Sequence, residues 1–319
     1  MSTLPIGTSH PSAVHSLYDT APVAEATTAS TAVSNDSWLT RSYGSTGLGP
    51  AIVGHRGVTG NDDVPENSIE ALQYAADHNA DGIELDIQFL GDGTPVVMHD
   101  EKIEDGGLLW FDKSLSDLNA SDVDDYGLLT LEDWAQAYSS LPEPRPSVFA
   151  EFKSETPAEI DDPQAAIDGA VDILNTHVSS DQLVAASFGA DVLGYLHQAD
   201  PTLSLGLFAS RDGDTSVFEQ LDALAEDGVP IGFVEMNEDN LPVEDAAHGI
   251  TGDTEAEREE QTIARLHAEG YAIVIGHTRE EYLADPRVAA IISNDPASAT
   301  GLRDEHALDG LRSPWIPRF

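Results

Sequence analysis

The chain predicts an α/β fold of the (β/α)8 TIM-barrel type, with a doubly wound open sheet as the alternative. Three observations point there. Short apolar, β-branched runs recur at 51–54, 82–88, 94–98, 147–152, 182–187, 204–208, 231–236, 272–276 and 289–293. Segments with helical periodicity separate most of them. The alternation also continues for roughly the 250 residues that such a barrel occupies.

Taken in order, the run 51–54 leads to Pro65-Glu66-Asn67-Ser68, where a helix is expected to begin. Asn67 is read as its N-cap with Glu70 three residues on, and Ile69, Leu72, Ala75 and Ala76 as its inner stripe. Nine runs are one too many for eight strands. Only residues 89–93 separate the second run from the third, too few for a parallel crossover, so those two runs pair as a hairpin or not at all. Leu129-Thr130-Leu131-Glu132 opens a further helix. The segment 163–177 carries Ile167, Ala170, Val171 and Leu174 on one face, and 190–199 carries Val192, Leu193 and Leu196 before Pro201 stops it. The segment 256–269 ends at Gly270. Two connections are long and acidic, 101–130 and 237–255, and are expected to cap the active end. The expected organisation is a low-complexity, loosely docked or disordered tail over 1–49, a barrel over 50–302 and a C-terminal tail over 303–319. The barrel would carry an extra hairpin strand, with 101–130 as a small insertion over its C-terminal face.

Composition excludes several partners. The 319 residues carry 58 acidic and 14 basic side chains, a formal net charge of -44. Such an excess repels nucleic acid and anionic membranes, so neither nucleic-acid binding nor stable membrane association is expected. High salt would screen the self-repulsion, which suggests a halophilic protein. The absence of cysteine excludes disulfides, thiolate metal sites and cysteine nucleophiles. No run of 18 apolar residues occurs, as a membrane-spanning helix would need. The first residues lack the basic start and apolar middle of a secretory signal. That favours a cytoplasmic protein, or an extracellular one if a leader has been removed. Oligomeric state is not readable.

The densest chemistry lies in Gly82–Asp100, GIELDIQFLGDGTPVVMHD. Glu84 and Asp86 stand at i and i+2, on one face of an apolar strand. Buried carboxylates are costly unless a cation or strong donors compensate them, so the stretch is either a cation site or a wet hairpin with its acids in solvent. Polar groups at other strand ends weigh toward the first. His55-Arg56-Gly57 ends the first run, Glu66-Asn67 lies in the loop after it, His99-Asp100 ends the third run, and Glu151 and Lys153 end PSVFAEFK. In a barrel those ends form the active face. Each residue alone has a plainer reading: hydrogen-bonded histidines, a surface arginine, a helix cap, a first-turn acid favouring the helix dipole, a self-satisfied ion pair. Together those readings require several coincidences at one end of one fold.

The series HRG, PENS, ELDIQ with its DG turn, VVMHD and EFK resembles the glycerophosphodiester phosphodiesterase family over most of residues 51–300. Ala186-Ser187-Phe188, Gly206-Leu207-Phe208 and Ile292-Ser293-Asn294-Asp295-Pro296 resemble its later strands. The resemblance implies metal-dependent hydrolysis of glycerophosphodiesters, small molecules, to sn-glycerol 3-phosphate and an alcohol. It implies that Glu84, Asp86 and Glu151 hold a divalent cation with Glu66 in or beside its shell. It implies His55 and His99 as general acid and base, in an order the sequence leaves open, and Arg56 and Lys153 as phosphodiester contacts. A glycerol hydroxyl would then be the nucleophile, through a cyclic phosphate. Three carboxylates without sulfur suit Ca2+ or Mg2+, with Mn2+ as a further candidate. Departures also occur. EKIEDGGLLWF follows the His-Asp pair in place of the family's arginine-bearing segment, and Ile275-Gly276-His277-Thr278 replaces a tryptophan-threonine pair, so that His277 either lines the pocket or merely ends a strand. Phospholipase C- or D-type activity on lyso or intact lipids is the nearest alternative, and an inactive barrel that binds phosphodiesters or proteins is an alternative of another class.

Overall fold

A computed structural model of the chain describes Leu39 and residues 49–103, 113–209, 215–236, 244–277 and 279–312. Among these the strands are β1 (Ala51–Gly54), β2 (Gly82–Phe89), β3 (Pro95–Val97), β4 (Lys102–Ile103), β5 (Lys113–Ser114), β6 (Ser147–Phe152), β7 (Leu183–Ser187), β8 (Ser204–Phe208), β9 (Phe233–Met236), β10 (Ala272–Gly276) and β11 (Val288–Ser293). The helices are α1 (Ile69–Asp77), α2 (Val123–Tyr126), α3 (Leu131–Ser139), α4 (Pro163–His177), α5 (Ala190–Ala199), α6 (Val217–Glu226), α7 (Glu255–Glu269) and α8 (Pro296–Arg312).

Eight strands, β1, β2 and β6 to β11, run parallel in the order β1-β2-β6-β7-β8-β9-β10-β11 and close where β1 pairs with β11. Closure excludes the open doubly wound sheet. The ninth run is the returning arm of a hairpin: β3 pairs antiparallel with β2 through Ile87↔Val97, Gln88↔Val96 and Phe89↔Pro95. β1 reaches along β2 only to Ile83, so β3 takes the edge of β2 that β1 leaves vacant.

Period-two alternation sorts the strands into two cores. Ile83, Leu85, Ile87, Val148, Ala150 and their counterparts pack outward against Leu72, Ile167, Leu193 and other helix residues. Ala51, Val53, Phe149, Val184, Ala186, Phe208, Phe233, Val274, Ala290 and Ile292 fill the barrel interior. The fit there is tight. A Cβ at Gly206 of β8 would sit 1.9 Å from the Phe233 ring, so only glycine leaves that ring its place. Leu39, 1% exposed, joins this interior cluster.

Three expectations need correction. Ser68, not Asn67, caps α1: its side chain accepts from the Ala71 N–H, and the helix starts one residue later. The buried residues of α1 are Ala71, Leu72 and Ala75, while Ile69 is exposed. The boundary expected at residue 302 falls inside α8, which continues to Arg312. Of the long acidic connections, residues 104–112 and 237–243 lie outside the described residues, as do 1–38, 40–48 and 313–319. The described part of the first connection holds β4 and β5, which pair antiparallel, and α2. No helix of the described residues is long and apolar enough to cross a membrane.

Candidate active site

The parity that fills the barrel interior also aims its upper residues into one cavity. Continuing by twos from the interior residues leads to His55 after β1, to Glu151 and Lys153 on and after β6, to Phe188 after β7 and to Glu235 on β9. All of them, with Arg56, Glu84, His99, Phe208, Gly276, His277 and Ile292, line a cavity of about 350 Å³ at the C-terminal ends of the strands. That is the end where barrels of this type place their chemistry.

Glu84, Asp86 and Glu151 each present a carboxylate oxygen within 4.8 Å of the other two, and all three are buried. Asp86 and Glu151 are Cα partners on β2 and β6, which sets them side by side. Compensation is partial. Lys153 Nζ lies 2.8 Å from Asp86 Oδ1 and 2.6 Å from Glu151 Oε1, and Arg56 Nε lies 3.3 Å from Asp86 Oδ2. The Arg56 N–H donates to Glu84 Oε2 at 2.6 Å, and Glu84 Oε1 is buried with no hydrogen-bond partner among the described residues. Three carboxylates thus share two cationic side chains.

The charge imbalance appears in the titration of the group. Burial, reinforced by Asp86 and Glu151, pushes the Glu84 carboxyl well above the usual range. Burial likewise pushes Glu151 up to about 8 against the pull of Lys153. Burial alone would raise Asp86 too, but Lys153 and Arg56 outweigh it and hold that carboxyl down at about 2. Burial would lower the Lys153 ammonium, yet Glu151 and Asp86 hold it above the ordinary lysine range. Three carboxylates against Lys153 and Arg56 leave one negative charge, which a dication held among them would more than balance. The donors, all carboxylate oxygen with one buried oxygen unpartnered, fit a hard divalent ion.

The backbone around this cluster is bent to serve it. Arg56 adopts φ 54° and Gly57 φ 80°, the left-handed region, which aims the Arg56 N–H at Glu84. A Cβ on Gly57 would also meet the Ala71 backbone at 2.6 Å, so glycine is required twice over. Asn67, at φ 55°, is buried instead of capping a helix. Its Nδ2 donates to Asp86 Oδ2 at 2.7 Å and its Oδ1 accepts from the Asp86 N–H at 3.2 Å. Asn67 therefore orients a candidate ligand. The replacement Asn67→Gly, which tolerates the same φ, is expected to weaken divalent-ion affinity about 10- to 100-fold in calorimetric titration. Unchanged affinity would remove Asn67 from that role.

His55 and His99 enter from different elements. His55 Nδ1 lies 2.5 Å from Asn294 Oδ1, just beyond β11, and its ring meets that of His277 edge-on with centroids 5.9 Å apart. Burial, assisted by Arg56 and opposed by the Asn294 hydrogen bond, pushes the His55 imidazole down to about 4. The hairpin delivers His99. The Met98 N–H donates to the Asp86 carbonyl at 3.1 Å, so β3 returns the chain to the level of the carboxylates. Gln88 Nε2 donates to the His99 carbonyl at 3.1 Å, and His99 Nδ1 lies 2.8 Å from Asp100 Oδ1.

Eight of the nine expected residues therefore line the cavity or join the carboxylate cluster, His277 among the former. Glu66 does neither. It is exposed, and its Oε1 takes the Arg56 Nη1–H at 2.6 Å, so the guanidinium stands between it and the cluster. Asn67 was expected only as a helix cap, and Glu235 was not expected in the site. Asn67 has Ser68 beside it as an equally good cap, a signal that its amide was free for another task. Glu235 is a carboxylate at the same parity as Phe233 in an apolar strand, the pattern already noticed in β2.

Comparison with known proteins gives a consistent family. The model of the Glycerophosphoryl diester phosphodiesterase family matches residues 55–297. The glycerophosphodiester phosphodiesterase of Bacillus subtilis (strain 168) is 30% identical over 171 residues, 47% of this chain and 56% of that protein. Glycerophosphodiester phosphodiesterase 1 of Rattus norvegicus is 48% identical over 54 residues, 17% of this chain and only 16% of the mammalian protein's length. Among solved structures, an Oleispira antarctica phosphodiesterase in complex with the product sn-glycerol-3-phosphate superposes with a TM-score of 0.58 at 18% identity, over 81% of this chain and 98% of that one. At that identity the likeness concerns the fold.

Proposed function

This chain belongs to the glycerophosphoryl diester phosphodiesterase family, and from that premise we propose that it hydrolyses glycerophosphodiesters to sn-glycerol 3-phosphate and an alcohol. The observation that carries the proposal is the buried triad Glu84, Asp86 and Glu151 beside a cavity lined by three histidines, an arginine and a lysine. Glu84, Asp86 and Glu151 would hold one divalent cation, Ca2+ or Mg2+, with Mn2+ a further candidate. When bound, such an ion supplies positive charge to a phosphate oxygen and lowers the pKa of a neighbouring hydroxyl or water.

The side chains divide the remaining work. Arg56 and Lys153, held at the cavity wall by the acids, meet the non-bridging phosphate oxygens and stabilise charge that grows there in the transition state. His55, kept neutral by burial, points Nδ1 at an amide oxygen and so carries its proton on that nitrogen. Nε2 is then the free base that takes a proton from the attacking hydroxyl. His99 takes the complementary acid role at the departing alcohol. Family resemblance favours a glycerol hydroxyl as nucleophile, through a cyclic phosphate that water then opens.

The test is an assay coupled to glycerol 3-phosphate, using metal-stripped protein supplied in turn with Ca2+, Mg2+ and Mn2+. Glycerophosphocholine, glycerophosphoethanolamine and glycerophosphoglycerol are expected to release it. Turnover of lysophosphatidylcholine alone, which releases no glycerol 3-phosphate and is read by phosphorus NMR, would favour the phospholipase reading, and no turnover of any diester would favour a binding barrel. The same assay checks an electrostatic expectation. A protein at -44 repels an anionic diester at long range, and salt screens the distant carboxylates more than the metal, Arg56 and Lys153 at contact. Activity should therefore rise with moderate salt, as a halophilic surface would also require. A steep monotonic fall in kcat/KM would contradict this.

A further inference from the structure

Resting on the hydrolytic reading above, we infer that Gln88 and Thr156 are positioning residues for the general acid. They form a buried relay that holds His99 at the departing alcohol, and neither is among the residues that line the cavity.

The relay can be followed atom by atom. Gln88 continues by twos from Glu84 and Asp86 on β2 and is fully buried. Thr156, also fully buried, follows Glu151 and Lys153 at the N-cap of the turn Pro157–Glu159, but its side chain makes no capping bond. Its Oγ1 instead accepts from the Phe89 N–H at 2.9 Å. The hydroxyl proton is left to donate to Gln88 Oε1 at 2.7 Å. With Oε1 fixed as the acceptor, the amide turns Nε2 toward the His99 carbonyl, to which it donates at 3.1 Å.

His99 needs such a hold. Its side chain is 37% exposed, and the Asp100 side chain that it meets through Nδ1 is 72% exposed, so water competes for that contact and it restrains the ring weakly. The bond from the Met98 N–H to the Asp86 carbonyl reaches only the residue before. The Gln88 bond acts on the peptide of His99 itself, from a dry interior where a satisfied network rigidifies what it holds and an unmet carbonyl is costly. Apolar side chains would fill the same space with no polar atoms to satisfy. The relay instead joins the elements that carry Asp86, Glu151 and His99, so the proton donor keeps a fixed place beside the carboxylates.

The experiment exploits the leaving group. The alkoxide of choline needs a proton as it departs, whereas nitrophenolate leaves without an acid. Protein loaded with the ion that supports turnover is mixed in excess with glycerophosphocholine or with the para-nitrophenyl ester of glycerol 3-phosphate. The single-turnover release of choline or nitrophenolate is then timed in wild type, Gln88→Met, Thr156→Val, Thr156→Ser and His99→Ala, with melting curves and calorimetric titration of the ion. Gln88→Met should slow choline release about 10- to 100-fold and nitrophenolate release less than about threefold. Thr156→Val should show the same selectivity at smaller size, and Thr156→Ser, which keeps the hydroxyl, should recover most of that loss. The Thr156 pair decides the matter should Gln88→Met fail to fold. Ion affinity should match wild type in the Gln88 and Thr156 variants. Equal losses on the two esters, or no loss on either, would overturn the inference. So would a parallel loss of ion affinity, which would set Gln88 in support of Asp86 instead. His99→Ala slowing both esters alike would sink the acid assignment, and failure of wild type to turn over either ester would sink the hydrolytic reading, each taking the inference with it.

Discussion

Glu84→Gln is expected to lower kcat/KM by about a thousandfold, because loss of one ligand forfeits roughly 4 kcal/mol of charge stabilisation in the transition state. The same replacement should leave the metal-free fold intact or strengthen it. In wild type, burial beside Asp86 and Glu151 pushes the Glu84 carboxyl well above its usual range. The metal-free folded protein therefore keeps a proton that the unfolded chain gives up near pH 4.5, and stability falls as pH rises from there to the raised value of the folded state. Glutamine removes the penalty. A divalent ion should raise the melting temperature of wild type by mass action and raise that of Glu84→Gln far less. Activity lost together with a lowered metal-free melting temperature would mark Glu84 as structural.

The second large effect concerns the two imidazoles. His55→Ala and His99→Ala should each cost roughly 10² to 10⁴ in kcat if they are base and acid. Less than tenfold for either would remove it from that role. The pH profile separates the two. Burial holds His55 down at about 4, and a base must be unprotonated, so the activity that depends on His55 persists above that value and is lost as pH falls through it. An acidic limb near pH 4 should survive in His99→Ala and vanish in His55→Ala.

Much of this was legible in the sequence because burial imposes period-two patterning on strands. A barrel strand has an interior face, and Glu84, Asp86, Glu151 and Lys153 stood out by occupying it. The hairpin was legible for a steric reason, since residues 89–93 cannot carry a crossover. What stayed hidden depended on choices between near-equivalents or on tertiary contacts. Asn67 and Ser68 are both good helix caps, and a shift of one residue gave the cap to the Ser68 hydroxyl and left the Asn67 amide for Asp86. Glu66 belongs to the same loop as Asn67, yet only the fold reveals that Arg56 intervenes. The place of Glu235 in the cavity lining could have been found by extending the parity argument to β9. Burial of Leu39 inside the barrel could not have been read from a Ser- and Ala-rich stretch.

The most direct test of a metal-dependent phosphodiesterase is phosphorus NMR of glycerophosphocholine with metal-stripped protein, first with chelator and then with excess Mg2+, Ca2+ or Mn2+. The expected result is an unchanged diester signal in chelator and conversion to sn-glycerol 3-phosphate once an ion is supplied. Conversion at the same rate in chelator would contradict it.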